Sequence, residues 1–454
     1  MALSSRFCSA GCSRSPGQMG GAIVADLMRR TSLALLLLAT VTAGCELELL
    51  RSDGNERSQN AERVRELWDH TVSQYLMSKL WRQPNVYDAP HMLMLPMEFA
   101  LRGDNDRLAR DFHDFFQRFE AAAPLRFDDN PLRRIQFEYW VSRYLRLSQG
   151  ETGWQRRLLE DRLESLRRHW LEEPAPHWAY SSDFPSARKR LLWKLDRETT
   201  GFRYFRAVID EEYYVFTTAA ELAIALDQRG RQRPDFVRDL LSQAYRTFRE
   251  QGAFSDDGRW LMQPGVWSDH KDYRYAGHPR LAPGLEPRVV PGIAMDVSHS
   301  HRMPLWLDSL ALAAPTPEEG RFFSRVRNGF ERQFRQKAWV PATPEFPVPR
   351  LTNYLDGHNG IYRYGYATAG DNLGYGPYEL SGAFVWGWYG VLGGPELTQG
   401  RRRLLEQMPL SGSVLATYVG PNTSRDRHPL VTWPDYYQNG FAELHLRLGL
   451  LLNE

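Results

Sequence analysis

The chain has 454 residues, of which 42% are hydrophobic and 25% are charged, a balance typical of a globular protein with a large core. Its 57 basic and 55 acidic residues are spread along the sequence and leave a net charge of +2, so no basic tail or acidic run indicates a nucleic-acid partner. We therefore expect one large domain, or two tightly packed ones, that acts as a monomer and does not bind nucleic acid.

The N-terminal region has the pattern of a secretion signal. Residues 28–45 begin with a basic pair, continue with a short apolar run and end with small residues before a cysteine. The apolar run is shorter than the ~20 residues that span a bilayer, so a membrane helix is the less favoured interpretation. Ala43, Gly44 and Cys45 resemble a bacterial lipobox, whereas Thr42 stands where leucine is usual, which leaves ordinary secretion open.

This signal sets the expected domain layout. Residues 1–45 would be an N-terminal extension and signal peptide, residues 46–60 a polar tether, and residues 61–454 the folded catalytic domain. Cys8 and Cys12 fall before the signal, so a chain lipidated at Cys45 has no free cysteine and no disulfide. We expect the protein on the periplasmic side of the cell envelope, held to the membrane by its lipid anchor alone.

From residue 60 onward the sequence predicts one helix after another. Apolar residues recur at the three-and-four spacing of amphipathic helices, and Thr316, Pro317 and Glu319 form a capping box that begins one of these helices. Segments 209–226 and 380–392 are apolar nearly all round, which is typical of buried helices. The amphipathic segments are 64–80, 108–119, 132–147, 154–170, 236–248 and 322–334.

This alternation of amphipathic and buried helices predicts an all-α fold. Concentric layers of helices indicate an (α/α) toroid of helix hairpins, with long aromatic-rich loops and few or no strands. Parallel bundles are the alternative, but they would not need such long loops. Segments 252–293 and 339–379 both exceed the ~15 residues above which a structureless connection is usually functional.

The two long loops are rich in aromatic and polar residues. Such surfaces suit sugars, because hydroxyls take polar partners and the apolar faces of sugar rings stack on aromatic side chains. The alternative is that these loops merely pack over the helices. The binding candidates are Trp267, His270, Arg274 and Tyr275 in the first loop, and His358, Asn359, Arg363, Tyr364 and Tyr375 in the second.

The segment 294–306 joins the first loop to an apolar helix and carries His299. Asp296 or Ser298 can cap this helix, and in its first turn the helix dipole disfavours an imidazolium, so we expect His299 to be a neutral base. Ordinary capping and hydrogen bonding is the competing interpretation. His301 lies about 200° further around a helix, and a structural zinc site would lack its usual cysteines, so no metal or other cofactor is expected.

Several carboxylates are further candidates. Asp210, Glu211 and Glu212 begin a buried helix, where their simplest role is to complement its dipole; Glu211 is also a candidate for substrate binding. Glycoside hydrolysis would need two facing carboxylates, and the sequence does not say which of them face each other. The others near aromatic loops are Asp371, Glu379 and Asp435.

Three motifs follow one another along the chain: the acidic start and alanine-rich body of helix 210–226, the run from Asp296 to His299, and the Tyr- and Gly-rich loop before Ser381. Their order resembles the α/α-toroid polysaccharide lyases and their uronate-acting relatives. The resemblance implies that His299 matches the histidine of the toroid's catalytic face. The Asn-His pair of alginate-type lyases has no clear equivalent, since His358 and Asn359 stand in reversed order.

The expected activity is therefore β-elimination on an acidic, uronate-containing polysaccharide. His299 would remove the C5 proton, while Arg302, Arg363 and Asn359 would stabilise the developing charge on the carboxylate. Tyr364 or Tyr275 would protonate the leaving oxygen if the two long loops meet. A glycoside hydrolase, a uronate epimerase and a polysaccharide-binding envelope lipoprotein without catalysis are the alternatives.

Overall fold

The computed structural model describes residues 60–103, 105–122, 130–176, 183–196, 204–366, 370–421 and 426–453. The predicted signal peptide, its lipidation site Cys45 and residues 46–59 of the tether lie outside the described residues. Contacts divide the chain into two units, Met1–Arg63 and Val64–Glu454. The second unit contains the core and the cleft described here.

Helices make up most of the described residues, which confirms the predicted all-α class. Strand is confined there to two short antiparallel pairs, β1 (Gly252–Phe254) with β2 (Trp260–Met262) and β3 (Trp339–Val340) with β4 (Arg350–Leu351). In the part of the chain that the structure describes, no helix is both long and apolar enough to cross a membrane.

The helices are numbered along the chain. A π-turn (Phe334–Ala338) follows α12, and short 3-10 turns occur at Tyr204–Arg206, Trp388–Val391, Pro429–Val431 and Asp435–Tyr437. The helices are α1 (60–70), α2 (Val72–Met77), α3 (Asp88–Arg102), α4 (Asp106–Ala121), α5 (Pro131–Leu147), α6 (Gly153–Leu171), α7 (Ala187–Leu195), α8 (Asp210–Gln228), α9 (Asp235–Gln251), α10 (Val297–Ser300), α11 (Met303–Ala313), α12 (Pro317–Gln333), α13 (Ala383–Trp386), α14 (Pro395–Glu406), α15 (Gly412–Val419) and α16 (Phe441–Leu451).

Two of these helices show how an apolar period and a capping box in the sequence lead to the observed structure. On α4, Phe112 and Phe116 lie on one face and are fully buried, and each such side chain contributes about 1.5–3 kcal/mol when it leaves water. The capping box of α12 is confirmed: Glu319 N donates to Thr316 Oγ1 over 3.3 Å, Thr316 N donates to Glu319 Oε2 over 3.2 Å, and Pro317 is the first helical residue.

The predicted helix over residues 380–392 is wrong as a continuous element, although its residues are mostly buried as expected. It breaks at Gly387 into α13 and the 3-10 turn Trp388–Val391, and the backbone of Gly387 is extended. A Cβ on Gly387 would lie 2.3 Å from Ala383 O and 2.9 Å from His301 Cβ. The glycine therefore allows a close approach to His301 that a regular helix with side chains would prevent.

The core lies among helices that contact one another in a closed circuit. This circuit runs from α3 to α5, α8, α11, the turn Trp388–Val391 and α16, and from α16 back to α3. Helices α4, α6, α9, α12 and α14 contact its members. A toroid of helix hairpins requires such a circuit, and the toroid itself stays a prediction.

Four large aromatic side chains fill the space inside the circuit. The rings of Tyr214 and Trp306 lie 5.0 Å apart, and those of Tyr139 and Trp388 lie 5.7 Å apart. All four are fully buried. They come from α5, α8, α11 and the turn Trp388–Val391, so the same packed cluster fixes the helices whose first turns form the cleft.

A charged network lies deeper in the circuit. Arg143 donates from Nη1 to Glu221 Oε1 over 2.6 Å and to Ser309 Oγ over 3.0 Å, and its Nε donates to Glu98. Burial alone would raise the pKa of Glu98, but the nearby charges of Arg143 and Arg102 hold it below its usual value. The four buried groups come from α3, α5, α8 and α11 and tie these helices together.

Candidate active site

A cleft with a volume of about 550 Å³ opens where helices of the circuit begin. Asp88 begins α3, Arg133 lies in the first turn of α5, Asp210 begins α8, and Arg302 directly precedes α11. The buried network described above involves residues about ten positions further along α3, α5 and α8, which is about 15 Å at the rise of an α-helix. These helices therefore run in the same direction, from the cleft towards the network.

His299 lines this cleft with its side chain 24% exposed. Its Nδ1 lies 2.8 Å from the carboxylate of Asp296, which is fully buried. A charged carboxylate only accepts hydrogen bonds, so Nδ1 is the donor, and in the neutral ring Nε2 has the lone pair. His299 is therefore held as a base on a rigid partner.

The local backbone explains this pair. Asp296 caps the one-turn helix α10 by accepting hydrogen bonds from Ser298 N (3.0 Å) and His299 N (3.1 Å), which confirms Asp296 as the predicted cap. The prediction that His299 lies in the first turn of the long apolar helix is wrong, because α10 ends at Ser300 and α11 begins at Met303. The Asp296 carboxylate, rather than the dipole of a long helix, orients the ring.

The charge state of Asp296 follows from its surroundings. Burial would raise its pKa, but the neighbouring His299 and its hydrogen bond, together with donors from Ser298 and Tyr273, hold it far below its usual value. The Tyr273 hydroxyl donates to Asp296 Oδ2 over 2.7 Å. Burial and the neighbouring Asp296 charge raise the pKa of Tyr273 well above its usual value, so this hydroxyl keeps its proton.

Tyr362 lies beside His299, and Tyr362 and the adjacent Arg363 both line the cleft. The hydroxyl of Tyr362 is 3.4 Å from His299 Nδ1, and burial raises its pKa well above the usual value, so it remains protonated. Arg363 donates from Nε to Asp272 Oδ2 over 3.0 Å, and its guanidinium lies 4.4 Å from the centre of the Tyr366 ring. Among the described residues, no hydrogen-bonding partner contacts its two η nitrogens.

Arg302 lines the cleft, but most of its donors are already used. Its Nη1 binds Asp210, and its Nε and Nη2 donate to His91 Nε2 over 3.2 and 2.8 Å. The side chain is 2% exposed, and Asp210 keeps its pKa far above the usual value against the effect of burial. Arg302 thus connects α3, α8 and the start of α11, and it offers less to a substrate than the sequence suggested.

Glu379 is another carboxyl group that lines the cleft, besides Asp88, Asp210 and Asp426. Its Oε2 accepts a hydrogen bond from Gly376 N over 2.6 Å, and burial raises its pKa above the usual value. Glu211 does not line the cleft; its carboxylate lies 3.0 Å from Arg190 Nη2 and 3.3 Å from His169 Nε2. Asp371 and Asp435 are also absent from the residues that line the described cleft.

The two long loops meet, as the predicted role of the tyrosines required. The rings of Tyr275 and Tyr364 lie 4.6 Å apart, and the Tyr364 hydroxyl donates to Ala282 O over 3.0 Å. Neither tyrosine is among the residues that line the cleft, although Tyr375 is. This particular contact between the loops therefore lies outside the lining of the cleft that contains His299.

Other predicted binding residues also lie outside the lining of the described cleft. Asn359 Oδ1 accepts from Asn353 N (3.2 Å) and from Tyr378 N (2.9 Å), so it fixes the shape of the second loop. His358 is exposed and lies 3.1 Å from Asp356.

In the first loop the predicted binding residues are packed or peripheral. Trp267 is buried and stacks on Tyr273 at 5.6 Å between ring centres. His270 lies edge-on to Tyr204 at 5.0 Å. Arg274 is exposed. This loop contacts the site through Tyr273, which binds Asp296 without lining the cleft.

Four groups around the cleft were not singled out from the sequence: Tyr362, Asp272, Tyr273 and His91. Tyr362 directly precedes the chosen Arg363, and Asp272 and Tyr273 lie in the chosen first loop, so the loop composition pointed to their neighbourhood. His91 lies on α3, which has no polar face and contains Pro96. Its sequence therefore lacks the amphipathic period that revealed the other helices.

The histidine pair does not form a common site. His301 is fully buried, and its Nδ1 accepts a hydrogen bond from Trp388 N over 3.0 Å. Burial, followed by the charge of Arg302, holds its pKa well below the usual value. Within the described ranges, no group of three or more His, Cys, Asp or Glu side chains is arranged to hold a metal ion.

Comparison with known proteins gave no match. No protein-family model matches the chain, and neither a curated protein nor a solved structure does so. The resemblance to toroid lyases therefore depends on short motifs alone, and any function must be argued from the geometry of the cleft.

Proposed function

We propose that this protein is a polysaccharide lyase that cleaves a uronate-containing polysaccharide by β-elimination in the cleft. The observation that supports this most strongly is the His299–Asp296 pair beside Tyr362 and Arg363. Together they supply a base, a protonated hydroxyl and a cation within one cleft. These are the three groups that β-elimination on a uronate needs.

Each step of the elimination uses one of these groups. His299 Nε2 takes the proton from C5 of the uronate, and the electron pair passes into the adjacent carboxylate as an enolate-like intermediate. Arg363 stabilises this charge with its η nitrogens. The C4–O bond then breaks as the C4=C5 double bond forms, and the leaving oxygen takes the proton of the Tyr362 hydroxyl. Tyr362 replaces Tyr364 and Tyr275 in this role because it lines the cleft next to His299.

Glycoside hydrolysis is the second candidate, and Glu379 favours it. A carboxyl group whose pKa is raised by burial is the usual general acid of such enzymes. A hydrolase would also need a second carboxylate across the sugar. Asp210 lines the same cleft, but its carboxylate is bound to Arg302.

The first experiment separates these reactions. The full-length protein is incubated with a panel of uronate polysaccharides, and ultraviolet absorbance reports 4,5-unsaturated uronate ends. New reducing ends without this absorbance would select the hydrolase. Exchange of the C5 proton with solvent at unchanged chain length would select an epimerase, and binding without either product would select a polysaccharide-binding protein.

The second experiment tests the base. On a polymer that the parent cleaves, His299→Ala should lower turnover by about two to four orders of magnitude, the usual size of a general acid–base contribution. Its melting temperature should stay near that of the parent because His299 is partly exposed. The control is His70→Ala, which changes an exposed histidine of α1 and should leave turnover unchanged. Near-normal turnover in folded His299→Ala would remove this histidine from the mechanism.

We also propose that the enzyme acts on the periplasmic side of the envelope, anchored through Cys45. The support is the signal-like sequence of residues 28–45. Cells expressing the full chain should incorporate a labelled fatty acid into the protein, and Cys45→Ala should lose the label. Label that persists in this variant would contradict the anchor and leave ordinary secretion.

A further inference from the structure

Two adjacent residues of the first long loop contact two different parts of the proposed machinery. Asp272 accepts from Arg363 twice, from Nε at its carboxylate over 3.0 Å and from the backbone N at its carbonyl over 2.9 Å. Tyr273 donates its hydroxyl to Asp296 over 2.7 Å. Neither Asp272 nor Tyr273 lines the cleft. Asp272 and Tyr273 therefore hold Arg363 and Asp296, the partner of the base His299, from outside the cleft.

Tyr273 is fixed firmly enough to orient Asp296. It is 5% exposed, its ring stacks on Trp267 at 5.6 Å, and it meets Tyr362 edge-on at 5.4 Å. Asp296 is fully buried, so its carboxylate depends on protein donors. Loss of the Tyr273 hydroxyl would leave this charge one donor short and would free the carboxylate to turn away from His299.

Asp272 does the same for Arg363. It is 8% exposed, and its hydrogen bond uses the Nε of the guanidinium. The guanidinium contacts the faces of two aromatic rings, 4.4 Å from the centre of Tyr366 and 5.1 Å from that of Tyr362. These contacts fix the plane of the guanidinium, and the Nε contact fixes its rotation, so the η nitrogens keep one direction.

We propose that Asp272 and Tyr273 are positioning residues of this active site. Tyr273 sets the His299 base through Asp296, and Asp272 sets Arg363 as the group that recognises the uronate carboxylate. The inference rests on the proposed lyase function. Tyr273 should therefore affect kcat, because it acts on proton transfer, whereas Asp272 should affect KM, because it acts on the bound carboxylate.

The experiment uses the full-length protein and the polymer that the parent cleaves. Tyr273→Phe should lower kcat about tenfold, the usual effect of losing a hydrogen bond to a charged group, with KM within about twofold of the parent. Asp272→Asn should raise KM about tenfold with a smaller fall in kcat, and Asp272→Glu should recover part of that KM. Tyr245→Phe, which removes a hydroxyl from a tyrosine of α9 that packs on Phe322, should change neither constant.

The possible results separate this inference from the proposed function. If His299→Ala keeps its activity, the lyase mechanism itself fails. If His299→Ala is inactive while Tyr273→Phe and Asp272→Asn behave like Tyr245→Phe, only the positioning roles are overturned. They are also overturned if both variants lower kcat and raise KM together in proportion to a lower melting temperature, because a purely structural role would do that.

Discussion

The circuit of helices carries charged side chains at two depths, and the two sets differ in how completely they are paired. In the buried network, Arg143 binds Glu98 and Glu221, and all three side chains are fully buried. At the cleft, His299 and Arg363 each have one carboxylate partner and are each 24% exposed. The deep charges are closed off from solvent and hold helices together, whereas those of the cleft keep atoms exposed to a substrate.

The comparison also shows that an altered pKa does not by itself mark a functional group. Neighbouring groups outweigh the effect of burial and lower the pKa of Glu98 and that of Asp296. Only Asp296 bears on a side chain that reaches the cleft, through His299. What distinguishes the two sites is access to solvent together with an unused donor or acceptor.

The largest effect on stability should come from breaking the deep network. Arg143→Ala should lower the free energy of unfolding by about 3–5 kcal/mol, the usual cost of breaking a buried ion pair, because Glu98 and Glu221 then keep only Arg102 and Arg146 as cation partners. Arg363→Ala should lower it by about 1 kcal/mol or less, since this partly exposed pair is solvated in part. Denaturant unfolding of both variants measures the difference. Equal losses would show that the cleft pair is as structural as the deep one.

A smaller effect should appear in the pH dependence of stability. The pKa of His301 is lowered in the folded protein, so its imidazole stays neutral there while the unfolded chain takes up a proton below about pH 6.5. The contribution of the neutral His301 to the free energy of unfolding is therefore complete above this pH and is lost as the pH falls. His301→Asn keeps an acceptor near Trp388 N and cannot be protonated, so its free energy of unfolding should fall less steeply below pH 6.5, by up to about 1.4 kcal/mol per unit.

The measurement is denaturant unfolding of parent and variant at a series of pH values below 7. Other histidines whose pKa is lowered by burial, such as His113 and His428, remain in both proteins and cancel in the difference. Parallel curves for the two proteins would show that His301 does not contribute to the acid sensitivity.

The sequence could predict the fold class because period and capping are local properties. The pattern of α8 and the capping box of α12 needed no knowledge of their neighbours, and the cap at Asp296 was likewise local. The break at Gly387 was not local, because it depends on the approach of His301 from another element. The circuit of helices depends on contacts between segments distant in sequence, which no period encodes.

The lining of the cleft was predictable to within one or two residues. On α8 the chosen Glu211 is bound to Arg190, whereas its neighbour Asp210 lines the cleft, since successive helical residues differ by about 100° around the axis. In the second loop the chosen Tyr364 lies away from the cleft and Tyr362 lines it. Irregular loops have no period, so composition identifies the segment while the side-chain directions come from tertiary contacts.

The contact that completes the circuit of helices bears on how the chain is made. His445 Nε2 of α16 lies 2.9 Å from Met92 O of α3, across 353 positions of sequence. During synthesis α3 leaves the ribosome long before α16 exists, and its apolar surface facing that helix stays uncovered until the last turns are translated. Such a distant pairing slows folding, because a long loop must close before the contact forms. The nascent protein would then depend on chaperones until residues 441–451 have emerged.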